Sequence, residues 1–67
     1  MHEDQGPHLL SEPRRREIFL ALVEAQDQGL GVAESRRATA ERFRVSEKQV
    51  REIERAGLDN RWPPLGE

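Results

Sequence analysis

The sequence of 67 residues contains no cysteine and no tyrosine, and its aromatic residues are two phenylalanines and one tryptophan. Without cysteine there can be no disulfide bond and no thiolate metal site. A core this small rarely supplies more than about 3–5 kcal/mol unless a crosslink, a metal or a partner adds to it. We therefore expect a single small domain with disordered ends.

The sequence also lacks a long apolar run. No stretch approaches the roughly 18 apolar residues that cross a bilayer, and no basic leader precedes an apolar stretch with a cleavage site. We therefore expect a soluble cytoplasmic protein without a membrane partner. His2 and His8 lie in an N-terminal stretch that also holds Glu3 and Asp4. A polar leader explains this stretch better than a metal site does, so no metal or other cofactor is predicted.

Charge is distributed unevenly along the chain, although the net charge is only −2. Residues 1–35 carry three arginines against seven carboxylates, whereas residues 36–62 carry eight arginines or lysines against five carboxylates. Such asymmetry is typical of a chain in which one half meets an anion. Mixed charge on solvated helix faces is the ordinary alternative.

The first predicted helix covers about residues 12–28, after a flexible arm formed by residues 1–10. Ser11 suits the N-cap, and Pro13 is tolerated in a first turn. Apolar residues then recur at three- and four-residue spacing, which predicts a wide buried stripe. The stripe consists of Ile18, Phe19, Leu22, Val23 and Ala25. Gly29 and Gly31 end the helix, and we expect Leu30 and Val32 to attach the connector to the core.

Two further helices are predicted. The second begins near Ala33 to Ser35 and ends at Phe43 or Arg44. Its candidate core residues are few: Ala38, Ala40 and Phe43, with Thr39 half-suited. The third begins after Ser46, whose pairing with Gln49 matches a capping box, and Gly57 closes it just before Leu58. Val50 and Ile53 give the third helix its buried stripe.

The C-terminal sequence LDNRWPPLGE predicts an extended tail over residues 59–67. Trp62 precedes two prolines, which favour extended, polyproline-like backbone. Trp62 and Leu65 are too apolar for both side chains to be left exposed to water without a contact. Either they fold back over the small core, or Trp62, Pro63 and Leu65 bind a partner protein.

The spacing of residues 36–55 fits a helix-turn-helix. Ala40 falls where a small residue lets two helices approach, and Ser46 caps the second helix of the pair. The shared core positions are Phe43, Val45, Val50 and Ile53. The predicted fold class is therefore all-α: a small three-helix helix-turn-helix domain over residues 11–58, with the flexible arm and the extended WPPL tail on either side.

Read in order, TAERFRVSEKQVREIERAGL resembles region 4, the promoter −35 reading region of primary-type bacterial RNA polymerase sigma factors. That family has an F-x-V-[ST] turn followed by a helix of the form x-x-[QR]-[VI]-R-x-I-E-x-x-x-L. The matching residues are Phe43, Val45, Ser46, Gln49, Val50, Arg51, Ile53, Glu54 and Leu58. The similarity covers about residues 11–58, is strongest over 40–58, and does not include the tail.

The resemblance implies that the helix after Ser46 enters the major groove of DNA. Arg51 matches a DNA-contacting arginine of the family, and an arginine can bind guanine through two hydrogen bonds. Glu52 replaces a usual glutamine and can accept a hydrogen bond from cytosine. The residues expected at DNA are Arg36, Arg37, Arg44, Glu47, Lys48, Arg51, Glu52 and Arg55.

Three further residues depart from the family pattern. Arg44 replaces the turn glycine, which costs around 1 kcal/mol if the backbone there is left-handed. Thr39 stands where a large aliphatic is preferred, and Arg36 replaces a frequent leucine. Thr39 and Arg36 make the first helix of the pair less apolar than usual, and all three changes lower the expected stability of the fold.

Two functions are consistent with the sequence, and an enzyme is not, because no nucleophile–base pair or phosphate-binding loop is present. The first is a sigma-region-4-like DNA-binding protein, a small transcription regulator or accessory subunit. Its partners would be double-stranded DNA and either a second copy or a larger complex such as RNA polymerase. The alternative is an adaptor subunit of a nucleic-acid-processing complex, with the helix-turn-helix as a scaffold.

Overall fold

The computed structural model describes residues 10–65, which form three α-helices joined by short connections. They are α1 (Glu12–Asp27), α2 (Val32–Phe43) and α3 (Glu47–Asn60), and each packs against the other two. Residues 10–65 contain no β-strand, which confirms the predicted all-α, three-helix class. The predicted arm lies outside the described residues except for Leu10, which packs partly buried against the core.

Helix α1 begins as its sequence predicts. The Ser11 side chain accepts a hydrogen bond from the Arg14 backbone N–H at 3.2 Å, and Pro13 lies in the first turn. Ile18, Phe19 and Leu22 are buried, as the apolar stripe requires. The helix ends before Gly29, whose φ of 105° is a conformation that glycine adopts without a steric penalty.

The connector between α1 and α2 is held by polar groups, so the prediction that Leu30 and Val32 attach it to the core is wrong. These two side chains are 36% and 52% exposed. Ser35 replaces them: it is fully buried, donates a hydrogen bond to the Val32 carbonyl at 2.8 Å and accepts one from Gln26 at 3.0 Å. A buried hydroxyl with two hydrogen-bond partners carries little desolvation cost. Its hydrogen bonds are directional and fix the orientation of the connector, which apolar contact alone does not.

Helix α2 presents a buried face of small residues. These are Ser35, Thr39 and Ala40. The predicted core residue Ala38 is exposed instead, and the half-suited Thr39 is buried. Ser35 and Thr39 are four residues apart and share one helix face, so their small side chains let α2 approach its neighbours closely. Phe43, the remaining predicted core residue of this helix, is partly buried against the core.

The turn between α2 and α3 is strained at Arg44. Its φ of 58° and ψ of 44° are left-handed, a conformation that costs a non-glycine residue roughly 1–2 kcal/mol. The Val45 N–H nevertheless reaches the Ala40 carbonyl at 3.0 Å and closes the helix end. Ser46 and Gln49 form the predicted capping box, with hydrogen bonds of 3.0 Å and 2.8 Å at the start of α3.

Helix α3 continues three residues beyond the predicted end at Gly57 and stops at Asn60. Gly57 therefore lies inside the helix. Phe19 packs directly over it, and a Cβ at this position would be 2.3 Å from Phe19 Cδ1. The left-handed residue that ends the helix is Arg61, with φ of 53°. Glycine therefore marks a close helix crossing here instead of a helix end.

The core consists of two adjoining clusters that both contact Val45. One is formed by Ile18, Phe19, Ile53 and Trp62, and the other by Leu22, Ala40 and Val50. Trp62 meets Phe19 edge to face, with ring centroids 6.0 Å apart. Of the two alternatives for the tail, Trp62 thus folds back onto its own core. The prediction of an extended tail over residues 59–67 is wrong for its described part: Asp59 and Asn60 belong to α3, and residues 62–65 form a turn in which the Leu65 N–H donates to the Trp62 carbonyl at 2.8 Å. None of the helices among residues 10–65 has the length and apolar character to cross a membrane.

Candidate nucleic-acid interface

The exposed face of α3 presents several of the residues that the sequence predicts at DNA. Val50, Ile53 and Gly57 face the core. Arg51 and Arg55 are exposed and four residues apart, so they lie one above the other on the opposite side of the helix. Because α1 packs over Gly57 through Phe19, it lies behind α3 and leaves this exposed face open.

An open cleft of about 630 Å³ runs along this face. Its walls come from α3 and from one residue of α2. The lining residues are Arg36, Lys48, Arg51, Glu52, Glu54, Arg55, Leu58 and Asp59. Four of these side chains are cationic and three are carboxylates, so the cleft carries only a small positive excess.

The carboxylates of the cleft are arranged unevenly. Glu52 and Asp59 are seven residues apart, which places them two turns apart along one edge of the exposed face. The third carboxylate, Glu54, is bound by Arg36. Arg51, Arg55 and Leu58 therefore form a strip that is not covered by a carboxylate.

Arg36 and Glu54 form an ion pair between α2 and α3. The Arg36 Nε donates to Glu54 Oε1 at 2.9 Å, and Arg36 Nη2 lies 2.9 Å from the same oxygen. The side chains are 30% and 17% exposed, so the pair is largely withdrawn from water. The sequence predicted Arg36 at DNA and missed this contact, because two residues 18 positions apart meet only after the helices pack.

The remaining cations of the cleft have no such partner in the part of the chain that the structure describes. Within residues 10–65, neither a hydrogen bond nor an ion pair engages the side chain of Lys48, Arg51 or Arg55. The Glu47–Arg51 pair, which is the ordinary alternative for a solvated helix, is not formed. These three side chains are thus available to bind an anion.

The other predicted residues lie beside the cleft. Arg37 and Glu47 line a smaller pocket of about 170 Å³ together with Ala33 and Glu34, where the first turns of α2 and α3 approach each other. Arg44 lies in the turn and lines neither pocket. The fold therefore brings five of the eight predicted DNA residues into the cleft, two into the adjoining pocket, and one into the turn.

The arginines of α1 are placed differently. Arg14 lies over the Phe43 ring at 4.8 Å, and Arg16 lies over the Trp62 ring at 5.5 Å. Arg14 also donates to Glu17, and Arg16 donates to Glu12, each at 2.9 Å. These side chains are therefore engaged by aromatic rings and by carboxylates of their own helix.

The predicted partner-binding residues are divided by the fold. Trp62 is only 5% exposed, whereas Pro63 is exposed and Leu65 is 45% exposed. No group of His, Cys, Asp and Glu that could hold a metal occurs among residues 10–65.

The fold and the cleft define a class: a small all-α domain of three helices whose second and third are joined by a short turn. Comparisons with protein-family models, with curated proteins and with solved structures found no match for the chain.

Proposed function

We propose that the chain is a double-stranded DNA-binding protein that resembles sigma region 4 and lays the exposed face of α3 in the major groove. One observation carries the proposal: Arg51 and Arg55 stand one turn apart on an open face, and no acceptor within residues 10–65 binds them. A helix with this exposure fits the width of the major groove of about 12 Å.

The cations of this region would take different parts in binding. Arg51, in the N-terminal half of α3, is suited to the O6 and N7 acceptors of a guanine. Lys48 and Arg55 would contact phosphates on either side, which fixes the position of the helix without reading sequence. Arg37 in the first half of α2 and Arg44 in the turn would add phosphate contacts.

The cleft carries too little positive charge for tight binding by a monomer, because neutralised phosphates supply most of the affinity. The proposal therefore includes a larger assembly: a second copy, RNA polymerase or another nucleoprotein complex, in which the chain acts as a small regulator or accessory subunit. Its place would be the bacterial cytoplasm. No catalytic role is proposed.

The adaptor function is the second candidate. It is favoured by the two most exposed leucines of residues 10–65, Leu58 at 55% and Leu65 at 45%, which a protein partner would cover. Trp62 does not support it, because this side chain is already buried against Phe19. A partner that binds Leu65 would make the Leu65→Ala variant lose that partner while it keeps its DNA affinity.

A selection from random duplex DNA, followed by a salt titration, tests DNA binding. With four cations at phosphates, the affinity should fall with a logarithmic slope of about −3.6, or roughly 150-fold between 50 and 200 mM salt. One sequence should be enriched over the pool. An affinity that does not change with salt, or a pool without enrichment, would reject sequence-reading DNA binding and favour the adaptor.

A further inference from the structure

We infer that the Arg36–Glu54 ion pair is a positioning latch: it fixes α2 against α3 and keeps Glu54 away from the DNA-reading arginine Arg51. Arg36 is then a positioning residue and not a phosphate contact. The part of this inference that concerns DNA rests on the proposed function. The part that concerns the two helices does not.

The geometry of the pair distinguishes it from the other ion pairs. Two nitrogens of Arg36 converge on one oxygen of Glu54, each at 2.9 Å, in a partly desolvated site. The Arg14–Glu17 and Arg16–Glu12 pairs lie within α1, and their side chains are about half exposed. Among the ion pairs of residues 10–65, Arg36–Glu54 alone joins two helices. Charge-assisted hydrogen bonds of this kind are directional and comparatively strong.

The pair joins α3 to α2, a helix whose fully buried residues are all small. These residues are Ser35, Thr39 and Ala40. The turn that follows α2 is strained at Arg44. A polar restraint between α2 and α3 therefore contributes more to their relative position than it would across an apolar interface.

The latch also decides which arginine Glu54 can bind. Arg51 and Glu54 are three residues apart on α3, a spacing at which helical side chains of opposite charge pair. Because Arg36 holds the Glu54 carboxylate, this competing pair is not formed within residues 10–65. Removal of Arg36 would let Glu54 bind Arg51 and withdraw it from the DNA.

A thermal unfolding cycle tests the latch without DNA. The variants are Arg36→Gln, Glu54→Gln, their combination, and the swap Arg36→Glu with Glu54→Arg; Arg37→Gln is the matched control. Each single change should lower Tm by about 4–8 °C, whereas the double change should lower it no further, and the swap should recover at least half of the loss. Arg37→Gln should move Tm by less than about 2 °C. Additive losses in the double variant would overturn the latch.

Salt-dependent DNA binding by the same variants tests the positioning of Arg51. Arg36→Gln should weaken binding about tenfold while the salt slope stays constant, and the addition of Glu54→Gln should restore most of the affinity. A loss due only to weaker folding would not be restored. Arg37→Gln should instead reduce the slope by about one.

The outcomes separate the latch from the proposed function. A slope reduced by one in Arg36→Gln would identify Arg36 as a phosphate contact and overturn the inference. If the unaltered chain binds no DNA under any salt condition, the proposed function fails. The unfolding cycle then still decides whether Arg36 and Glu54 form the latch.

Discussion

The arginines of α1 and those of α3 belong to similar stretches of sequence but have different surroundings. Arg14 and Arg16 lie over aromatic rings and donate to carboxylates one turn away. Arg51 and Arg55 lie on an open face without a partner among residues 10–65. An arginine of this fold is therefore open to an anion where no aromatic ring or carboxylate among residues 10–65 binds it.

Local spacing does not explain this difference. Both helices place glutamate three or four residues from arginine: Glu12 before Arg16 in α1, and Glu47 before Arg51 in α3. The rings beneath the α1 arginines come from α2 and from the tail, as Phe43 and Trp62. Only the packing of separate segments decides which arginines are covered.

Removal of Trp62 should have the largest effect, because the ring that lies beneath Arg16 also belongs to the core. Trp62→Ala deletes a ring that is 5% exposed, that packs on Phe19 and that lies beneath Arg16. Such a change costs about 3–5 kcal/mol, which is as much as a core of this size supplies. We expect loss of cooperative thermal unfolding, measured by circular dichroism at 222 nm.

Leu65→Ala is the matched control in the same tail, since Leu65 is 45% exposed. It should change the free energy of unfolding by less than about 0.5 kcal/mol. A Trp62→Ala variant that still unfolds cooperatively near the original Tm would show that Trp62 is not part of the core.

The two left-handed arginines offer a smaller and sharper test. Replacement of Arg44 or Arg61 by glycine should stabilise the fold by about 0.5–1 kcal/mol, because glycine adopts positive φ without a steric penalty. The two variants should therefore raise Tm by similar amounts in a thermal melt. Arg44→Gly should also reduce the salt slope of DNA binding by about one, whereas Arg61→Gly should not. Equal salt slopes in both variants would remove Arg44 from the DNA contacts.

The sequence was sufficient to predict the elements whose determinants are local. Capping residues Ser11 and Ser46 mark two helix starts, and the spacing of Ile18 and Leu22 marks the buried side of α1. The non-local features were missed. The buried Ser35 hydroxyl accepts a hydrogen bond from Gln26 of α1. Gly57 lies within α3, where Phe19 of α1 leaves no room for a side chain.

The same limit applies to the candidate site. Helix periodicity was enough to predict that Arg51 lies on the exposed face of α3, and the described residues agree. It could not predict that Arg36 binds Glu54 across 18 positions of sequence, nor choose between the two alternatives for Trp62. Pairings between segments depend on how the helices cross, and spacing within one helix carries no information about that crossing.

The duplex-DNA affinity of Arg51→Ala, compared with that of Arg14→Ala, tests whether α3 reads DNA. Both variants lose one positive charge from an exposed side chain. At fixed salt, on a duplex enriched by the unaltered protein, Arg51→Ala should bind roughly 10- to 100-fold more weakly. Arg14→Ala, whose guanidinium serves Phe43 and Glu17, should bind within about threefold of the unaltered chain. Equal losses in both variants, or no loss in Arg51→Ala, would contradict the assignment of DNA reading to α3.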